Sequence, residues 1–234
     1  MKKSIVLKVG GSILYDYLLN INFDLFRRVK SWYFEAKNEY DSIVLVTGGG
    51  GISRQVQDKV AENITKDEDI HDIAMSLTQT NATILASYID DKDIFVPQTL
   101  GDAYEYLMSS QKGYMVSGGL KVGWSTDMDC AIFADILDID KVHKVSNIDA
   151  IYNKDPKEFF DAKAIKDMTW QEYFKVFNIL PGQTHTPNSH IPVDAQCAMY
   201  CEKKGISFLV TGGRFVDEGK EIKEILNEGT FLHP

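Results

Sequence analysis

The chain has 234 residues, of which 44% are hydrophobic, and its 34 acidic and 25 basic side chains give a formal net charge of −9. This size can bury a large core, and the acidic balance excludes the surface-wide basic field that nucleic acid or an anionic membrane would need. No apolar run reaches the roughly 18 residues of a membrane-spanning helix and no signal peptide is recognisable, so we expect a cytoplasmic protein without membrane or nucleic-acid partners.

Strands and helices alternate in the first half. Apolar, β-branched runs at Ser4–Val9 and Ser42–Thr47 predict two buried strands, joined by a helix in which Phe26, Val29 and Tyr33 recur at helical spacing. The other predicted elements of this half are helices at 52–64 and 67–89, a strand at 94–96, a helix near 102–108 and a strand at 114–117.

The second half continues the alternation. It predicts a helix at 127–137, a strand at 142–146, a turn-rich stretch at 147–156, helices at 169–177 and 193–204, a strand at 206–211, a helix at 218–227 and a closing strand at 229–231. This order favours the α/β class, as a three-layer α/β/α sandwich on a mostly parallel central sheet. No linker separates the halves, so we expect one domain over residues 1–234, with lobes at about 1–126 and 127–234.

Cys130, Cys197 and Cys201 are an odd number of cysteines at spacings that do not match a metal site. Their number excludes an even disulfide framework. We expect reduced thiols in the core, which is consistent with a cytosolic location.

Glycines follow the first two predicted strands, as Gly10 and Gly11 after the first and as a run at 48–51 after the second. Glycines leave backbone N–H groups free to approach phosphate oxygens closely, and Lys8 can direct its ammonium into the same space. The alternative is that these glycines form ordinary tight turns. Together, the two glycine pairs and the lysine favour an anion site.

Two further segments carry polar groups near predicted strand ends. Ser125-Thr126-Asp127 begins a predicted helix, where it can cap the helix, and its carboxylate can also orient a neighbouring lysine. The stretch at 147–156 contains Asn, Asp, Tyr and Lys side chains that suit a nucleotide's sugar and base, although it also fits a plain loop. Both interpretations stay open for each segment.

The succession of these motifs resembles the amino acid kinase superfamily over the whole chain. The motifs are Lys8-Val9-Gly10-Gly11-Ser12, the glycines at 48–50 with Arg54, Thr126-Asp127, and Ser146-Asn147-Ile148-Asp149-Ala150-Ile151-Tyr152-Asn153-Lys154-Asp155-Pro156. Within the superfamily, the segment from Tyr152 to Lys157 and the glycines at 118–119 before Ser125 resemble uridylate kinases. The spacing around Arg54 is similar to that of the archaeal-type branch.

The resemblance implies an amino acid kinase-like fold and phosphoryl transfer from ATP, with Mg²⁺, to UMP. It implies that Lys8 bridges the transferring phosphoryl group and that Asp127 orients Lys8. Residues implied on the ATP side are Lys8, Gly10, Gly11, Ser12, Asn147, Asp149, Tyr152 and Asp155. Those implied on the UMP side are Gly48, Gly49, Gly50, Arg54, Asp72 and Thr126. The first lobe would thus bind the acceptor and the second ATP, and the family implies a homo-oligomer, namely a hexamer.

Several alternatives accompany this interpretation. The acceptor can be another small phosphate or a hydroxylated metabolite, or the protein can be a non-catalytic storage protein of the same fold. Asp72 can equally lie on a solvated helix face. Ala150 stands where the family usually has glycine, which alters the donor-side turn, and His185 and His190 are more typical of surface residues than of metal ligands.

Overall fold

An eight-stranded sheet forms the centre of the computed structural model, which describes residues 3–16, 18–154, 156, 158–183, 191–212 and 218–234. The described strands are β1 (Ser4–Val9), β2 (Ser42–Thr47), β3 (Ile94–Phe95), β4 (Gly113–Ser117), β5 (Lys141–Ser146), β6 (Ile151–Tyr152), β7 (Ala164–Ile165), β8 (Asp167–Thr169), β9 (Ser207–Gly212) and β10 (Thr230–His233). The main sheet has the order β3-β4-β2-β1-β5-β9-β10-β8. Its neighbours run parallel except for the antiparallel pair β9 and β10, and β6 pairs with β7 in a separate two-stranded sheet.

Helices cover both faces of this sheet. The described helices are α1 (Gly11–Leu14), α2 (Phe23–Ala36), α3 (Gly50–Val60), α4 (Asp67–Ile89), α5 (Leu100–Ser109), α6 (Thr126–Ile136), α7 (Trp170–Val176), α8 (Ala195–Lys204) and α9 (Ile222–Ile225). None of these helices combines the length and the apolarity that crossing a bilayer requires.

The central strand β1 divides its side chains between two cores. Val6 packs in one core, with residues of α6 and α8, whereas Ile5 and Leu7 pack in the other, with residues of α2 and α4. Because side chains alternate along a strand, Lys8 lies on the same face as Val6, below α6. The expected three-layer α/β/α sandwich on a mostly parallel sheet is confirmed.

The order of the strands places α6 across the middle of the sheet. The chain builds β2 and β4 on one side of β1 and then returns through α6 to β5 on the other side. Helix α6 therefore crosses β2 and β1, and its first turn lies at the carboxyl ends of these strands. Ligands of such sheets bind where the strand order reverses in this way.

Some predicted elements differ from the observed ones. The expected helix at 218–227 is wrong in extent, since only Ile222–Ile225 is helical. Gly219 has a φ of +78°, outside the helical region, and the helix begins at the capping box of Glu221. The stretch at 147–156, which was expected to consist of turns, contains the strand β6. The elements α1, β7 and β8 were not predicted, because elements of two to four residues are too short to show a hydrophobic periodicity.

Candidate active site

A buried charge cluster lies beneath the carboxyl ends of β1 and β5. Lys8 and Lys144 are register partners on these adjacent parallel strands, so their side chains leave the sheet on the same face. The Asp127 carboxylate, from the first turn of α6, lies 2.5 Å from the Lys8 ammonium and 2.8 Å from that of Lys144. All three residues are at least 93% buried. The structure thus places Asp127 in contact with Lys8, and its orienting role in the reaction stays a prediction.

The charges in this cluster stabilise one another. Burial alone would raise the pKa of Asp127, but the charges of Lys144 and Lys8 outweigh it and lower that pKa to about 2. Burial opposes the charge of Lys8 as well, yet Asp127 raises the pKa of this ammonium. Burial instead lowers the pKa of Lys144. The cluster therefore carries an ionised carboxylate and a charged Lys8 at neutral pH.

The start of α6 is fixed by Ser125. The Ser125 hydroxyl accepts a hydrogen bond from the Met128 amide at 3.2 Å, as the predicted N-cap does, and it also donates to the Asp194 carboxylate. Asp194 in turn caps α8 by accepting from the Cys197 amide at 3.1 Å. The expected helix cap is therefore present in the segment that also carries the contact of Asp127 with Lys8.

The two glycine loops contact each other through their backbones. A Cβ placed on Gly11 would lie 2.1 Å from the Gly50 nitrogen, and one on Gly48 would lie 2.7 Å from the Gly11 nitrogen. Gly50 also has a φ of +69°, in the left-handed region. These glycines are therefore required by the close approach of the loops themselves. The predicted side-by-side arrangement of the two strand exits is confirmed.

The sheet already uses two of the amides that we predicted to be free. The Gly10 N–H donates to the Val145 carbonyl at 2.8 Å, and the Gly48 N–H donates to the Val9 carbonyl at 3.2 Å. The expectation that Gly10 and Gly48 offer free amides to phosphate is wrong, because parallel-strand pairing continues one residue beyond each strand. The first amides of α1 and α3 have no intrahelical acceptor and still face this region.

A cavity of about 190 Å³ lies beside the glycine loops, between α3, α4 and the loop that precedes α6. Its polar and aromatic lining residues are Ser53, Gln57, His71, Thr78, Lys121, Trp124, Ser125 and Thr126. The Lys121 ammonium lies 4.2 Å from the centre of the Trp124 ring. Among the acceptor-side residues implied by the resemblance, Thr126 lines this cavity. Arg54 and Asp72 are exposed beside it, each next in sequence to a lining residue.

A larger depression, of about 560 Å³, lies at the edge strand β3. Phe34 of α2, Ser87 of α4 and Asp91 are among its lining residues. It contains none of the predicted site residues, and it lies on the face of the sheet opposite to Lys8. We therefore place the candidate site at the smaller cavity and the charge cluster.

The predicted donor-side segment begins at the end of β5, beside Gly10. A Cβ on Gly10 would lie 2.8 Å from the Val145 carbonyl oxygen, so the start of this segment touches the first glycine loop. Asn147 is exposed, and Asp149 packs so closely on Gly212 that a Cβ there would lie 2.2 Å from its Oδ1. Tyr152 is half-buried on β6. The segment is therefore held at the same edge of the sheet as Lys8.

Three predicted positions cannot be compared with the structure. Asp155, His185 and His190 lie outside the described residues. Among the residues that are described, no group of three or more His, Cys, Asp or Glu side chains is arranged to hold a metal ion.

Asp129 is a buried acid that the sequence analysis did not identify. It lies two residues after Asp127 in α6 and is fully buried, and neither carboxylate oxygen accepts a well-aligned hydrogen bond in the described structure, although the Leu120 amide lies nearby. Burial raises its pKa to about 7, against smaller lowering effects of the Leu120 amide and Lys8. The sequence offered one signal for this residue, because Asp129 is an acidic residue between Met128 and Cys130 in the first turn of a predicted helix.

Lys144 was also missed, although its strand carried a usable signal. Lysine is rare at buried strand positions, and Lys144 lies inside β5, between His143 and Val145. Only the register with β1, however, shows that it lies beside Lys8. Asp194 was missed for a similar reason, because its contact with Ser125 joins residues that are 69 positions apart in the sequence.

Comparison with known proteins gives concordant results. The model of the amino acid kinase family matches residues 3–212. The uridylate kinase of Methanobrevibacter smithii is 32% identical over 225 residues, which cover 96% of this chain and 95% of that protein. The uridylate kinase of Methanococcus aeolicus is 28% identical over 234 residues, covering 98% and 99% of the two chains. The crystal structure of the uridylate kinase from Archaeoglobus fulgidus has the same fold, with a TM-score of 0.76, 24% identity, and coverage of 99% of this chain and 100% of that one.

Proposed function

This chain belongs to the amino acid kinase family, and we propose that it is a uridylate kinase, which transfers the terminal phosphoryl group of ATP to UMP and produces UDP and ADP. The full-length similarity to archaeal proteins with this activity supports UMP as the acceptor. The observation that carries the proposal is the buried contact of Lys8 with Asp127 below two touching glycine loops. In this assignment the acceptor is bound mainly by residues of the first lobe, 1–126, and ATP by the second, 127–234.

Lys8 provides the charge that the reaction needs. Two phosphate groups must approach each other, and the transition state spreads negative charge over the equatorial oxygens of the transferring group. A charged ammonium held by Asp127 can bridge this group without reorganising during the reaction. Asp127 therefore acts through Lys8, by fixing its position and keeping it protonated.

The glycine loops hold the two reactants next to each other. Amides at the start of α1, with the Ser12 hydroxyl, bind the donor phosphates, and those of Gly49 and Gly50 bind the acceptor phosphate with Arg54 as an additional cation. The cavity beside Thr126 takes the uracil, and Asp72 reaches the ribose from α4. On the donor side, Asn147, Asp149, Tyr152 and Asp155 line the pocket of the nucleotide.

The acceptor needs no general base, because its attacking phosphate oxygen is already ionised at neutral pH. The proposed reaction therefore requires no such role of His71, the histidine that lines the cavity. We propose that Mg²⁺ would be brought to the site with the phosphates of ATP. When bound there, it neutralises donor charge.

We also propose a cytoplasmic homo-oligomer, with a hexamer as the expected state. The three free, buried cysteines support a reducing compartment. Light scattering after size exclusion measures the mass in solution, and a monomeric protein would contradict the oligomer.

A coupled assay of ADP release tests the function directly. We expect turnover with UMP to exceed that with CMP, carbamate, isopentenyl phosphate and acidic amino acids. Lys8→Ala serves as the matched control, since loss of one such charge contact costs on the order of 100- to 1,000-fold in kcat. Turnover with another acceptor but not with UMP would refute the assignment of UMP. A lack of ADP release with every acceptor, together with metal in the purified protein, would instead favour a storage protein.

A further inference from the structure

We propose that Lys144 is a positioning residue for phosphoryl transfer, which holds the Asp127 carboxylate in place and supplies the positive charge that this carboxylate would otherwise cancel on Lys8. The inference rests on the proposed kinase function but concerns a residue outside the motifs that led to it. Three independent features of the cluster support it: geometry, hydrogen-bond capacity and charge.

The geometry makes Lys144 a second anchor for Asp127. Its ammonium lies 2.8 Å from the carboxylate, which is also 2.5 Å from the Lys8 ammonium. The two lysines are register partners on neighbouring strands, and the carboxylate comes down to them from α6. A carboxylate held from two sides cannot turn away from Lys8 without breaking a buried ion pair.

The hydrogen bonds assign different tasks to the two lysines. An ammonium has three N–H donors. Lys144 commits two of them within the described structure, to Asp127 and to the backbone carbonyl of Pro192. Lys8 commits one, to Asp127. Lys8 thus keeps the larger donor capacity for a phosphoryl group, whereas Lys144 is tied to the protein.

The Pro192 contact connects this anchor to a second helix. Pro192 lies two residues before Asp194, which caps α8 and accepts the hydrogen bond of Ser125. Ser125 caps α6, the helix that carries Asp127. Lys144 of β5 is therefore connected to α6 in two ways, directly through Asp127 and indirectly through Pro192, Asp194 and Ser125. Both connections fix the position of Asp127.

The charge of the cluster depends on Lys144. Lys144 donates to a carboxylate and to a carbonyl, as an ammonium does, and with Lys144 protonated the two ammonium groups and one carboxylate leave a net charge of +1 on these three side chains. Without Lys144, Lys8 and Asp127 would form a neutral pair, and the buried site would lose one positive charge next to the transferring phosphoryl group. In a poorly solvated site such a charge acts strongly on a developing anion.

Lys144→Met tests this role against Lys141→Met, an exposed lysine at the start of the same strand. We expect Lys144→Met to lower kcat by about 10- to 100-fold, with smaller changes in the KM of either nucleotide, because the lost field acts on the transition state. Lys141→Met should retain the kcat of the original protein. In Lys144→Met, the fall of kcat at low pH should also begin at a higher pH, because only one ammonium then lowers the pKa of Asp127. An unchanged kcat and an unchanged fall at low pH in Lys144→Met would overturn the proposal.

A double-mutant cycle separates positioning from a purely structural effect. If Lys144 acts through Asp127, adding Lys144→Met to Asp127→Asn should reduce kcat by less than about threefold further. An equal loss in both backgrounds would overturn the proposal. The double variant removes one positive and one negative charge, so it keeps the test usable if Lys144→Met alone fails to fold.

Carboxyl ¹³C NMR provides a readout that does not require turnover. The Asp127 carboxyl should titrate at higher pH in Lys144→Met than in the original protein, and at an unchanged pH in Lys141→Met. An unchanged titration in folded Lys144→Met would overturn the proposed contact. If the original protein releases no ADP with any acceptor, the kinase function fails, whereas this titration still decides whether Lys144 controls Asp127.

Discussion

Asp129→Asn should stabilise the protein at neutral pH and leave its stability almost unchanged in acid. Asp129 is fully buried in α6, and neither of its carboxylate oxygens accepts a well-aligned hydrogen bond in the described structure. Burial accordingly raises its pKa from the ordinary 3.8 to about 7. Asparagine has nearly the same shape and stays neutral at every pH, so it removes only the ionisation.

The sign and size follow from proton linkage. Below pH 3.8 the carboxyl is protonated in both the folded and the unfolded chain, and its contribution to stability is complete. Between pH 3.8 and about 7 the unfolded chain has released the proton that the folded protein retains, so the free energy of unfolding falls as pH rises. The gap between the two pKa values corresponds to about 4 kcal/mol at 1.36 kcal/mol per pKa unit, an upper order-of-magnitude figure.

Urea unfolding at pH 4 and pH 8, on either side of the isoelectric point near 5.0, measures this difference. Relative to the original protein, Asp129→Asn should gain up to about 4 kcal/mol in free energy of unfolding at pH 8 and less than about 1 kcal/mol at pH 4. Asp58→Asn, on an exposed position of α3, should change stability by less than about 0.5 kcal/mol at both. If Asp129→Asn shifted stability equally at the two pH values, our account of Asp129 as a buried acid would be wrong.

The remaining predictions concern the site itself. Lys8→Met should lower kcat by about 100- to 1,000-fold with little effect on the KM of either nucleotide, as measured by ADP release; an equal rise in KM would indicate a binding role instead. Gly11→Ala should weaken the binding of both nucleotides in calorimetry, because its Cβ would lie 2.1 Å from a backbone nitrogen. Gly101→Ala, whose Cβ would meet only an ordinary contact at 3.6 Å, is its control, and equal affinities in the two variants would contradict the argument. Trp124→Ala should raise the KM for UMP about tenfold but not that for ATP, since Trp124 lines the cavity and an aromatic ring that stacks on a base contributes about 1 to 3 kcal/mol; a matching rise in the KM for ATP would place the acceptor elsewhere.

The central elements of the fold were predictable because their local signals agree with their tertiary environment. β1, β2 and α4 have the predicted bounds, since long apolar runs or a 23-residue helical pattern decide them locally. The short strands β7 and β8 exist only through pairing with distant segments, such as β8 with β10, which no local pattern reveals. The antiparallel pairing of β9 with β10 was not predicted for the same reason, although a strand was expected at each place.

Only those residues of the candidate site that lie in sequence motifs were predictable. Lys8 and Asp127 were found because each lies in a motif, and the structure joins them although 119 positions separate them. Lys144 lies in no motif, and its importance depends on strand register, which a sequence does not display. The use of the Gly10 amide by the sheet has the same origin, because a strand that continues one residue further cannot be distinguished locally from a turn.

Under the proposed function, the contact between the glycine loops gives the positive charge of the cluster its role. Gly11 and Gly50 approach so closely that a side chain on Gly11 would displace the other loop, so a donor and an acceptor phosphate bound there would also be close neighbours. Glycine brings the loops together but adds no net charge to offset the repulsion between two such anions. Lys8 brings an ammonium to this place, but its pairing with Asp127 leaves these two side chains without net charge. Under our proposal, the second buried lysine, Lys144, adds a further positive charge at this place, next to the Asp127 carboxylate.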